Sequence, residues 1–90
     1  MSLPPDSKEM EMKFETIETL RKIGVTMVTQ NFIPKAIRYY NRCFELLNGL
    51  EIQSIEEETE CLLDLGIAYQ CHNEHDRALE CLRKCQEKQH

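Results

Sequence analysis

The sequence predicts an all-α protein made of two antiparallel helix–turn–helix hairpins, and three observations carry that prediction. Residues 20–45 and 62–87 are one segment written twice at an offset of 42 residues, with Glu18/Glu60, Leu20/Leu62, Gly24/Gly66, Asn31/Asn73, Ala36/Ala78, Cys43/Cys85 and Glu45/Glu87 identical. Within each copy the apolar residues recur at steps of three and four, the period of a helix with one buried face. Three Gly and three Pro in 90 residues leave room for long helices and little for a turn-rich sandwich. A repeat of this length implies supersecondary units that bury a shared core between neighbours.

The first helix is expected over residues 7–30. Pro4-Pro5 reads as an extended start, and Asp6 followed by Glu9 as a capping box. Met10, Phe14, Ile17, Leu20, Gly24, Met27 and Val28 form its stripe. Gln30-Asn31-Phe32 breaks the pattern, and Pro34 suits the first turn of a second helix, where a missing N–H has no intrahelical partner to lose. That helix carries Ala36, Ile37, Tyr40, Cys43, Phe44 and Leu47 as far as about Leu50, with Gly49 near its end. Ser54 with Glu57 reads as a second capping box, and the acidic run Glu56 to Glu60 falls where the helix dipole favours negative charge. Leu62, Leu65, Gly66 and Tyr69 form the third stripe. A fourth helix over residues 74–88 turns Ala78, Leu82 and Cys85 inward and places Arg83, Lys84 and Lys88 near its C-terminal end. The domain plan is thus residues 1–6 disordered or vector-derived, 7–50 a first hairpin, 51–54 a connector and 55–90 a second hairpin. The helical stop at Gln89-His90 suggests a piece of a longer protein.

Ninety residues allow one small domain with a thin core and no separate catalytic unit. A net charge of −5 argues against nonspecific binding to nucleic acid or anionic lipid, both of which need dense Lys and Arg. No stretch approaches the roughly 18 apolar residues of a membrane span, and the N-terminus lacks the basic-then-apolar pattern of a signal peptide. A cytoplasmic location follows as the expectation. The five cysteines are odd in number, lack a secretory signal and sit mostly at small apolar helix positions, so they read as reduced thiols.

Cys71, His72, His75, Cys81 and Cys85 form the one constellation with metal-ligand chemistry. Their spacing argues against zinc, because structural sites favour close Cys pairs and no C-x-x-C occurs. Cys85 also repeats Cys43, which has no His nearby in sequence. Cysteine catalysis requires a thiolate, a base and an orienting partner. Consecutive helical residues such as Cys71 and His72 point about 100° apart, so their adjacency implies no pairing. No enzyme activity and no cofactor are expected.

Leu62, Leu65-Gly66, Tyr69, Ala78, Leu82 and Cys85 resemble the signature of the tetratricopeptide repeat: large, large-small, aromatic, then small, large and small. Leu20, Ile23-Gly24, Ala36, Tyr40 and Cys43 repeat it, with Met27 in place of the usual aromatic residue. The 42-residue period exceeds the family's common unit of about 34. It is similar to the periods of kinesin light chains and Pins-like cell-polarity scaffolds, although the Asn that follows Leu-Gly in the latter is Val25 or Ile67 here. The resemblance implies an α-solenoid fragment whose first helices line a concave groove for a peptide or a partner helix. Mapped by the match, that groove would use Glu18, Arg21, Val25 and Val28 of the first copy and Glu60, Leu63, Ile67 and Gln70 of the second.

Chaperone-tail binders in this family grip a carboxylate with Lys and Asn, whereas this groove offers one cation, Arg21, among apolar residues. An apolar helix or extended peptide suits it better, with Arg21 as a polar anchor. The same apolar residues could instead pack on a neighbouring repeat. The expected function is therefore a non-catalytic protein-binding module of a larger scaffold, with homodimerisation as the alternative and a Cys/His metal or redox site as a remote one. Gly66 and Ala78 are expected to let their helices approach closely, so that a bulky residue at either would overpack the contact.

Overall fold

In the computed structural model, residues 5–50 and 54–88 are described, and they form four α-helices: α1 (Pro5–Thr29), α2 (Ile33–Asn48), α3 (Ile55–Cys71) and α4 (His75–Lys88). Among the described residues there is no strand. Each helix packs on the next, α1 on α2, α2 on α3 and α3 on α4. The radius of gyration is 14.2 Å, against about 12 Å for a compact globule of this length. The chain is accordingly elongated, with its core distributed between neighbouring helices.

The two tight turns are the same structure, and they explain why Asn is duplicated. Asn31 and Asn73 take left-handed backbone angles, φ 65° and 61°, a conformation that a short polar side chain tolerates. At the first turn the Phe32 N–H donates to the Met27 carbonyl (2.7 Å) and the Asn31 N–H to Val28 (3.0 Å); at the second, Glu74 donates to Tyr69 (2.8 Å) and Asn73 to Gln70 (3.1 Å). Both are Schellman closures, which satisfy the last carbonyls of a helix while reversing the chain. Pro34 occupies the first turn of α2, as expected.

Helix starts depart from expectation. α1 begins at Pro5, so Asp6 lies within the helix instead of capping it, and Pro5 is helical, not extended. The rest of the expected disordered or vector-derived start, residues 1–4, lies outside the described residues, as do 51–53 of the connector. Ser54 stands at the N-cap of α3 with extended backbone, yet its side chain makes no capping hydrogen bond. The acidic first turn, Glu56 to Glu58, is left to supply the favourable charge there.

Two apolar clusters hold the helices. The first gathers Ile33, Ala36 and Tyr40 of α2 with Leu62, Leu65, Ala68 and Tyr69 of α3 and Ala78, Cys81 and Cys85 of α4, flanked by Met27 and Val28 of α1. The second joins Ile17, Cys43, Leu47, Leu50 and Cys61, with Met10, Phe14 and Leu20 against it. One residue of the fourth stripe, Leu82, does not take the inward place expected of it, and Cys81, outside that stripe, does. Cys81 is buried, whereas Leu82, expected inside, is 46% exposed. Leu82 lies beside Gly66 on a shared outer face of α3 and α4 that no further helix covers among the described residues, so it stays partly in solvent.

Candidate partner-binding face

α3 is the element that organises the candidate site, because it is covered on two sides. Leu62, Leu65 and Tyr69 belong to the cluster shared with α4, while Cys61 and Ala68, both fully buried, take it close to the first hairpin. The Cys61 thiol donates to the Tyr40 carbonyl at 3.3 Å. Small residues at 61 and 68, seven apart on one helix face, permit that approach.

The cysteines act as small core residues with weak thiol donors. Cys43 donates to the Ile17 carbonyl (3.5 Å), and its duplicate Cys85 donates to the Thr59 carbonyl (3.6 Å), the equivalent position. Burial pushes the Cys61 thiol up to about 12 and the Cys43 thiol up to about 11, and it raises Cys81 and Cys85 as well. These shifts run opposite to those of a nucleophile. Among the described residues, no three His, Cys, Asp or Glu side chains come together as metal ligands. His75 lies instead against the Gln70 side chain, with Nδ1 3.0 Å from Oε1.

The eight residues mapped to the concave groove have different fates. Glu18, Val25, Glu60, Leu63, Ile67 and Gln70 are exposed, with Val25 at 51%, Leu63 at 43% and Ile67 at 58%; Val28 is half-buried against the first cluster. Arg21 is committed within the chain. It donates to Asp64 through Nε (3.3 Å) and Nη2 (3.1 Å) and to Glu60 through Nη1 (2.9 Å), with Glu57 at 3.7 Å. Burial works against its charge, but these carboxylates more than compensate and raise its pKa. The guanidinium therefore clamps α1 to α3 and is not an unpartnered anchor for a ligand.

Leu63, Ile67 and Gln70 instead line a groove of about 310 Å³ completed by Gly66 and Cys71 of α3 and by Ala78 and Leu82 of α4. Its rims are apolar, and no carboxylate, Lys or Arg lines it. A second groove of about 250 Å³ lies between α2 and the second hairpin, lined among others by Asn41, Tyr69, Arg77, Glu80 and Lys84. Three of its polar side chains partner each other, since Asn41 donates to the Tyr69 hydroxyl (3.4 Å) and Arg77 stacks over the Tyr69 ring (5.7 Å).

Sequence reasoning missed Glu58, which it reads only as part of the acidic run favoured by the helix dipole. It is 1% exposed and accepts a hydrogen bond from Lys88 Nζ at 3.1 Å. Its position one helical turn before Leu62, which is also buried, was the available signal. Among the described residues no helix is long and apolar enough to cross a membrane. No protein-family model matches the chain, and neither a curated protein nor a solved structure matches it.

Proposed function

We propose that this protein is a non-catalytic interaction module, a two-repeat fragment of a tetratricopeptide-like stack, that binds a peptide or helix of a partner protein in the cytoplasm. The observation that carries the reading is the groove on the second hairpin: Leu63, Ile67 and Leu82 stand exposed around Gly66 and Ala78 with no ionised group among them. Exposed apolar surface of this kind is costly to maintain without a use, and a groove between helices is a common seat for an apolar helix face. The buried, raised thiols and the His75 ring held against Gln70 support the non-catalytic part.

Selection of displayed peptides against the whole 90-residue protein tests the reading. Enriched peptides should lose at least about tenfold in affinity, roughly 1.4 kcal/mol, on a Leu63→Asp, Ile67→Asp variant whose melting is unchanged. Failure to enrich any peptide, or indifference of the enriched ones to those substitutions, rejects it. A second reading, homodimerisation, is favoured by Leu79 and Leu82, which are 64% and 46% exposed on the last helix. A sedimentation series that shows a dimer dissociated by Leu82→Asp would establish it.

A further inference from the structure

The 42-residue repeat makes the groove a copy of an interface that the protein already fills. Leu63, Gly66, Ala78 and Leu82 stand at the positions of Arg21, Gly24, Ala36 and Tyr40. On the first hairpin α3 lies over that surface: Arg21 pairs with Asp64 and Glu60, the Cys61 thiol rests on the Tyr40 carbonyl, and Tyr40 is 3% exposed. On the second hairpin no described residue outside α3 and α4 lines that surface, and Leu82 is 46% exposed. Ile67 sits at the lip, because its counterpart Val25 stays half exposed even with α3 in place.

Resting on the interaction-module reading, we infer that the groove receives an amphipathic helix from a different protein, seated as α3 is on the first hairpin, with small residues seven apart and an apolar residue where α3 carries Asp64. The small positions follow from Cys61 and Ala68, which allow close approach. The apolar position follows from the exchange of Arg21 for Leu63, since an acid facing Leu63 would lose water without gaining a cation. Another copy added head to tail does not fit. The residues of α1 in register with Cys61, Asp64 and Ala68 are Thr19, Lys22 and Thr26, all exposed and polar, so such a stack would set Lys22 against Leu63.

The test uses the whole protein and two labelled synthetic peptides: the chain's own residues 54–72, and the same segment with Asp64→Leu. Fluorescence anisotropy should give the Asp64→Leu peptide the tighter binding by at least about tenfold, lost on Leu82→Asp protein. On Leu63→Arg protein, which recreates the Arg21 position, the ranking of the two peptides should reverse. An unchanged ranking on Leu63→Arg, binding indifferent to Leu82→Asp, or binding of neither peptide overturns the inference. So does concentration-dependent dimerisation abolished by Leu82→Asp, which would assign the face to a second copy. If displayed peptides depend on Leu63 and Ile67 but lack the helical small-apolar-small spacing, the interaction reading stands and this helix inference alone fails.

Discussion

The two hairpins share a plan and differ in how each closes its trailing side. In the first, a methyl group placed on Gly24 would come within 2.5 Å of the Tyr40 ring, so the glycine exists to admit an aromatic side chain. In the second, the same addition at Gly66 would meet Cys81 Cβ at 3.6 Å and the Ala78 carbonyl at 3.8 Å, ordinary contact distances. Leu82 replaces Tyr40 and does not fill the space. Duplicated residues therefore have different physical roles, depending on whether a further helix covers them. A single methyl group thus collides at Gly24 and fits at Gly66, while the overpacking expected of a bulky residue at Gly66 or Ala78 concerns a larger side chain.

The comparison can be broken most sharply at Tyr40 and Leu82. Tyr40→Ala should cost about 3–5 kcal/mol as a buried aromatic lost from the first cluster, whereas Leu82→Ala, at an exposed site, should cost less than about 1 kcal/mol. Urea unfolding of both variants measures the difference, and equal losses would mean that the second end is covered too. Nearly as large is the effect expected at Lys88. Removing it as Lys88→Met leaves Glu58 buried without its cation, at about 3–5 kcal/mol. The first hairpin carries Thr16 and Leu46 at the corresponding positions. A double variant that copies them, Glu58→Thr with Lys88→Leu, should recover most of the lost stability in the same assay.

A smaller effect belongs to the clamp between hairpins. Arg21→Ala should destabilise by about 1–2 kcal/mol, less than a fully buried charged hydrogen bond because the side chain is partly solvated. Raising salt should shrink that difference, and a salt-independent loss would assign it to packing.

At neutral pH the thiols give the weakest signal. A thiol raised to about 11 or 12 in the folded chain, as at Cys43 and Cys61, against about 8.5 when unfolded, keeps its proton longer in the folded state. Stability should then be flat below about pH 8.5 and fall as pH rises from there through the folded values. Titration with a thiol reagent at neutral pH should modify exposed Cys71 quickly and the four buried cysteines only on unfolding. Rapid reaction at all five would contradict the burial.

Much of this was legible in the sequence because it is local or periodic. The stripes located the four helices, and the offset between copies located the turns, where identical Asn residues close identical Schellman motifs. Burial that depends on which helix lies next was not legible. Cys61 and Ala68 are buried because α3 is covered on two sides, and Leu82 is exposed because, among the described residues, no further helix covers the face that it shares with Gly66, although the repeat pattern assigns Leu82 the role of Tyr40. Arg21 reads in one dimension as the cation of a binding groove. Its partners Glu60 and Asp64 lie 39 and 43 residues away, and packing alone brings them together.

The central claim is that the second hairpin presents, unfilled, the surface that the first hairpin buries. Chemical denaturation of Gly24→Ala and Gly66→Ala, side by side, tests it most directly. Gly24→Ala should destabilise by about 1–3 kcal/mol through collision with Tyr40. Gly66→Ala should instead stabilise by about 0.5–1 kcal/mol, because alanine favours the helix and the added methyl meets its neighbours only at ordinary contact distances. Destabilisation of similar size at both positions would contradict the account.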